Sequence, residues 1–322
     1  MSSQQTPAPA DSPTSPLPAC PVCRSSETRE ADFRGRTGAT LYACLQCDVR
    51  FFHPVANPGS DWYTDNYVFR NVLEVGRVEW YHRQLFRARQ VPRGRLLDVG
   101  CGTGSFLAAA RSHGFSVSGL DFDAAAVEAA RNRFGIDDVH AWSFDDYVRN
   151  RPGDRFDIVT AFEVLEHQED PRAFVESCFA LTRPGGYFAV SVPFRDRRPN
   201  WYEPWDEPPN HLTRWSRRSL VTELSFAGYQ VLDVKTGCIA SKKFLMDKVR
   251  LRIVSGRMET TRLAERGPAS RGVTLARLLL RTKSALFGGI GRVLDAGLKA
   301  IGATGIYLYV LAQRPEVDGL TR

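Results

Sequence analysis

Arg95-Leu-Leu-Asp-Val-Gly-Cys-Gly-Thr-Gly-Ser105 is the stretch on which the reading of this 322-residue chain turns. An apolar run (Leu96, Leu97, Val99) carrying one acidic residue reads as a strand, and it ends in glycines at 100, 102 and 104. Glycine there lets the backbone turn sharply and approach a ligand closely. Phe106 to Arg111 reads as the helix that follows, with its free N–H groups directed back at the ligand. A G-x-G-x-x-G pattern would need glycine at 105, where Ser105 stands, so the fit is to G-x-G-x-G behind an acidic strand end.

Further strands follow at regular intervals. Ser116-Val-Ser-Gly-Leu-Asp121 ends in a carboxylate one helix downstream. Then come a helix (Ala124 to Arg133), a strand near Val139–Trp142 and the strand Phe156-Asp-Ile-Val-Thr-Ala161. Arg183-Pro-Gly-Gly186 precedes another, Tyr187 to Pro193. Strands alternating with helices at these spacings predict a parallel sheet covered on both faces.

Asp98-Val-Gly-Cys-Gly-Thr-Gly, Asp121, Phe156-Asp-Ile-Val, Glu166-His167 and Pro184-Gly-Gly stand in an order that resembles class I S-adenosylmethionine-dependent methyltransferases of the ubiquinone and small-molecule type. The resemblance covers roughly residues 60–240 and 304–314. It implies an α/β fold: a Rossmann-like, doubly wound, seven-stranded sheet whose last strand is antiparallel. It also implies S-adenosylmethionine as cofactor, held by Asp98, Gly100, Cys101, Gly102 and Gly104. Asp121 would grip the ribose, Phe122 would wall the adenine, Ser143 and Phe144 would lie in a loop at its edge, and Phe162 would line the site. A dinucleotide-binding enzyme or an inactive relative shares these features, since fold alone does not decide activity.

Cysteine spacing is the second signal. Cys20-Pro-Val-Cys23 and Cys44-Leu-Gln-Cys47 make C-x2-C-x20-C-x2-C, close to the spacing of a tetrahedral zinc ribbon. Two disulfides or a redox pair are the competing readings. A four-sulfur zinc site has no open position, so its expected role is structural.

The expected organisation is a polar tail (1–19), a zinc-ribbon-like module (20–56), a methyltransferase domain (57–240 with 304–315), a basic helical insertion (241–303) and a short tail (316–322). Residues 1–19 have no apolar core of a signal peptide, and no run of 18 apolar residues occurs, so the expected compartment is cytoplasmic. The chain carries 43 Lys and Arg against 36 Asp and Glu, a net +7. Residues 241–303 hold fourteen Lys and Arg against four Asp and Glu, a net +10, which leaves −3 for the rest. That balance argues against nucleic acid as the partner of the core and for a small molecule. Within the insertion, Arg277, Arg281, Arg292 and Lys299 share one helical face, with Leu275, Leu279, Leu286, Ile290 and Val293 opposite. A solvated face, peripheral contact with anionic lipid and nucleic-acid binding are its three readings.

For chemistry, His211 is the first candidate for general base and His167 the second. His211 lies in Asp206-Glu-Pro-Pro-Asn-His-Leu-Thr-Arg-Trp-Ser216, which resembles the acceptor-side loop of small-molecule methyltransferases from sugar and polysaccharide pathways. Glu163 and Glu166 are alternative ligands for a divalent metal, as in quinone O-methyltransferases. Tyr63, Tyr67, Trp201 and Tyr202 are expected to border the acceptor. The expected reaction is O-methylation of a sugar, sugar nucleotide or polysaccharide intermediate. The alternatives are an RNA methyltransferase, a quinone or lipid O-methyltransferase, and a non-catalytic docking protein. The segment Phe162-Glu-Val-Leu-Glu-His167 is unlike the [DNS]-P-P-[YF] of base-amine methylation, which counts against RNA.

Overall fold

The computed structural model describes residues 16–33, 38–59, 62, 78–198, 206–237, 296–297, 300 and 302–316. Tyr63, Tyr67, Trp201, Tyr202 and nearly all of 241–303 lie outside the described residues.

The decisive stretch forms β4 (Arg95–Val99), and the strands around it build a seven-stranded sheet. Its other members are β5 (Ser116–Asp121), β6 (Val139–Ala141), β7 (Phe156–Phe162), β8 (Thr182–Pro193), β10 (Gln230–Thr236) and β11 (Tyr307–Gln313). The order is β10-β11-β8-β7-β4-β5-β6. β4 pairs in parallel with β5 and β7, and β8 extends the parallel set. β11 runs antiparallel between β8 and β10. This is the expected doubly wound sheet. Strand order reverses at β4, which opens a crevice beyond its carboxyl end.

Side chains alternate between two cores, as the two-residue period of a strand requires. Leu97, Val99, Val159, Phe188, Val190 and Val310 face one side, and Leu96, Ile158, Ala189 and Leu311 the other. Helices α1 (Trp80–Arg87), α2 (Ser105–Ser112) and α3 (Ala124–Phe134) cover the second face with Leu85, Leu107 and Val127. Helices α4 (Phe144–Asn150), α5 (Pro171–Leu181) and α6 (Arg217–Phe226) cover the first with Tyr147, Val175 and Leu220. β7 is buried along its whole length, as a strand covered on both faces must be.

Local chemistry sets the ends of these helices. Asp123 caps α3 and Asp170 caps α5, which has Pro171 in its first turn. Ser216 and Ser219 form a reciprocal cap on α6. α2 starts at Gly104, whose φ is 77°. A Cβ there would stand 2.7 Å from the Cβ of Ala130 and 3.2 Å from its Cα, so glycine is needed both for the turn and for the approach of α3.

Two local expectations are corrected. Ser143 to Asp146 is not a loop: Ser143 is the cap of α4, accepting the Asp146 N–H at 3.1 Å. β8 begins at Thr182, so Pro184-Gly-Gly lies inside that strand rather than before it.

The cysteine-bearing segment forms β1 (Thr28–Glu30), β2 (Thr40–Cys44) and β3 (Arg50–His53), an antiparallel sheet. Its fourth strand is β9 (Thr213–Arg214), drawn from the loop after β8. Val22, Val49 and Phe51 join the same core as Leu165, Phe194 and Trp215. Among the described residues, no helix is long and apolar enough to cross a membrane.

Candidate active site

A cavity of about 690 Å³ opens at the carboxyl end of β4. Asp98, Gly100, Cys101, Gly102, Asp121, Phe122, Ser143, Phe144, Phe162 and His167, all singled out in the sequence, line it. Gly104 shapes the turn from behind.

The glycine turn is held by its neighbours. The N–H groups of Gly100 and Cys101 donate to the Leu120 carbonyl at 2.8 and 3.0 Å. The Asp121 carboxylate accepts the Gly102 N–H at 2.8 Å and the Asp123 N–H at 2.9 Å. Each of its oxygens keeps a second lone pair, which suits a pair of ribose hydroxyls. A Cβ on Gly102 would meet nothing within 4 Å, so the bare backbone leaves room in the cavity for a ligand. Phe122 is 46% exposed at the rim of the cavity. The donors, carboxylates and apolar walls fit an adenosyl cofactor.

Cys101 is buried, and burial, then Asp121 and Asp98, push its thiol well up. It is a small uncharged neighbour of the cavity, not a nucleophile. Burial likewise pushes the Asp98 carboxyl up to about 8, against the hydrogen bond from the Thr160 hydroxyl at 2.6 Å. An unfolded Asp ionises near ~4. The fold therefore favours the neutral acid, and this contribution is full below pH ~4 and lost as pH rises toward 8. Asp98→Asn should reduce the fall in Tm between about pH 5 and 8 by several degrees; parallel melting profiles for the two proteins would refute this.

The chemistry-bearing end is built by the 3-10 turn Leu165–His167 after β7 and by the loop before β9. His167 Nδ1 lies 2.6 Å from the Asn210 carbonyl oxygen. A carbonyl only accepts, so Nδ1 carries a proton, and in the neutral ring Nε2 is then the basic nitrogen. His211 is buried edge-on to His167, with ring centroids 4.9 Å apart, and is not among the residues lining the cavity. Glu166 Oε1 is 3.9 Å from Nε2 of each histidine. Behind them, Asp206 Oδ1 is 3.6 Å from His211 Nδ1 and forms a buried ion pair with Arg197. Glu166, His167 and His211 offer ligand atoms all within 4.8 Å of one another, so the trio could also hold a divalent cation. Glu163, with φ at 59°, instead accepts the Ser191 hydroxyl at 2.9 Å.

Several lining residues went unremarked in the sequence: Asn57, Tyr81, His82, Trp142 and Tyr307. Tyr81 stacks on Phe162 at 5.2 Å and meets Tyr307 edge-on at 5.3 Å. His82 stacks on Phe106, and its Nδ1 accepts the Glu79 N–H at 2.9 Å. Burial, then the neighbouring Arg83, pulls the His82 pKa down to about 3, so it is a neutral ring at neutral pH. These residues come from elements outside the glycine turn, and only the amphipathic pattern of Trp80–Arg87 could have pointed to Tyr81 and His82.

Residues 73–234 match a family model described as a methyltransferase domain. The chain belongs to the class I S-adenosylmethionine-dependent methyltransferases. It is 34% identical over 137 residues to the ubiquinone biosynthesis O-methyltransferase of Thiobacillus denitrificans, covering 41% of this chain and 57% of that protein. The protein of the same name from Coxiella burnetii is 36% identical over 99 residues, 30% of this methyltransferase and 42% of that one. The chain spans about half the length of the curated relatives it matches. A solved SAM-dependent methyltransferase from Archaeoglobus fulgidus is similar with a TM-score of 0.47 at 17% identity, covering 79% of this chain and 100% of that one.

The four sequence-selected cysteines of this methyltransferase converge as free thiols. Their sulfurs all lie within 4.8 Å of one another, with Cys20–Cys47 at 3.7 Å and Cys23–Cys44 at 3.4 Å. Tetrahedral zinc with bonds of about 2.3 Å needs sulfurs about 3.8 Å apart. The set fits that ion.

Proposed function

We propose that the protein transfers a methyl group from S-adenosylmethionine to a hydroxyl of a small-molecule acceptor, with His167 taking the proton. The supporting observation is the bond from His167 Nδ1 to the Asn210 carbonyl, which leaves Nε2 basic in a histidine that lines the cavity. The bound cofactor supplies an already activated methyl group on a sulfonium. The chain must therefore position the acceptor oxygen and accept its proton as the carbon–oxygen bond forms. Asp121 and the glycine turn would hold the adenosyl part. His211 and Glu166 would back the His167 ring.

The acceptor reading follows the loop 206–216: a ring-borne sugar hydroxyl, presented on a sugar nucleotide or polysaccharide intermediate. A second reading, a phenolic hydroxyl on a quinone precursor, is supported by the names of the relatives and by the aromatic wall of Tyr81, Phe162 and Tyr307. Release of S-adenosylhomocysteine with sugar nucleotides and with catechol-type phenols, run side by side, distinguishes the two. Cofactor binding without release in either panel counts against both.

A further inference from the structure

We propose that the four-cysteine knuckle is a splint for the acceptor half of the cavity, so that zinc occupancy sets the orientation of His167 while the cofactor half stands without it. The significance for turnover rests on the role proposed for His167; the mechanical claim does not.

Three struts run from the cysteine-bearing segment to this histidine. The first is the pairing of β3 with β9, Arg50 opposite Arg214 and Phe51 opposite Thr213. It is extended by the Phe52 N–H on the Leu212 carbonyl at 2.9 Å. Leu212 in turn donates its N–H to the Glu166 carbonyl at 2.8 Å, and Asn210, two residues earlier, holds His167 Nδ1. The second strut starts at Asp48, directly after the ligand Cys47. Its carboxylate accepts the Ser216 hydroxyl at 2.5 Å and an N–H of Arg195 Nη2 at 3.0 Å, tying the end of the acceptor loop to the chain just after β8. The third is Asn57, just beyond the module and four residues after β3, which lines the cavity itself. Its side-chain amide donates to the His167 carbonyl at 3.0 Å, and its N–H to Glu169 at 2.6 Å.

The cysteines brace these struts from within the segment, beside the apolar packing of Val22, Val49 and Phe51. Cys44 ends β2, and its N–H donates to the Val49 carbonyl across the second knuckle at 2.9 Å. Arg172 of α5 donates to the Val22 carbonyl in the first knuckle at 2.6 Å. Without the metal, four thiols replace four metal bonds, and a sheet of short strands loses its clasp. The cofactor half draws instead on β4, β5, α2 and α3, and among the described residues none of its bonds to the glycine turn passes through the module.

The test uses the full chain loaded with zinc, then stripped by a chelator under reducing conditions, with metal content measured. Amide hydrogen exchange should speed up by at least about ten-fold in 206–216 and stay unchanged in 95–121. S-adenosylhomocysteine affinity should change by less than about three-fold on the same comparison. Unchanged protection of 206–216 overturns the proposal. So does loosening of both segments together with loss of S-adenosylhomocysteine binding, because the module would then hold the whole fold. Asp48→Ala, which keeps all four sulfurs, supplies a metal-independent check: exchange in 206–216 should rise with zinc content intact, and native protection there overturns the second strut. These readouts do not require turnover, so a failed methyl-transfer assignment and a failed splint give different results.

Discussion

His167→Ala lowers kcat by about 10²–10⁴-fold while the Kd for S-adenosylmethionine stays within about two-fold of the parent. The magnitude follows from what a positioned base contributes. A hydroxyl of high pKa is a poor nucleophile until its proton leaves, and free water is a badly placed substitute for a fixed base. The imidazole is poised because one nitrogen is committed to the Asn210 carbonyl. Cofactor affinity is spared because the adenosyl contacts are expected from the β4 and β5 ends. Calorimetry and single-turnover kinetics on the same preparation separate the two effects. The sequence favoured His211 as the base. A greater loss of kcat in His211→Ala than in His167→Ala would restore that order, and near-parent turnover in His167→Ala would remove this histidine from the reaction.

Asp121→Ala is expected to weaken S-adenosylmethionine binding by about 10²–10⁴-fold. Hydrogen bonds to a charged group contribute about 1.5–3 kcal/mol each, and two ribose hydroxyls are at stake. The same carboxylate also restrains the ligand-side backbone, through the N–H groups of Gly102 and Asp123. Its removal therefore loosens the turn that must be in place before the cofactor arrives, which adds an ordering cost to the lost contacts. Asp121→Asn should fall between the two proteins, because an amide can accept only through its oxygen. Isothermal titration of all three reads the effect. A Kd within a few-fold of the parent in Asp121→Ala would mean that the ribose is held elsewhere.

The cofactor half was legible because its requirements are local. A turn that needs positive φ and an absent Cβ writes itself as glycines, and a carboxylate at a strand end is visible once the strand is. The cysteine quartet was legible for the same reason, since metal geometry dictates ligand spacing. Ser143 shows a signal that was present but misread: Ser-x-x-Asp is a helix start, and the hydroxyl caps the Asp146 N–H as that pattern implies. The acceptor half was less legible because it is assembled from distance. Asn57 follows β3, Tyr81 sits on the helix before β4, and Tyr307 opens β11. The order of the two histidines was equally hidden. His167 and His211 are 44 positions apart in the chain, and the contacts that place His167 on the cavity, among them the bridge through Leu212 and Asn210, are made only in the fold. β9 is two residues long, too short for any periodicity to announce it.

The position of β11 has a consequence for biosynthesis. This strand is made after every other strand of its sheet, yet it lies between β8 and β10. A ribosome that has delivered residues through β10 has released a sheet whose β8 border is an open ladder of unused peptide groups. That border cannot close until residues some 70 positions later emerge. Until then the nascent protein carries a template for strand addition from any neighbour. Chaperone demand in the cell should accordingly peak between translation of β10 and of β11.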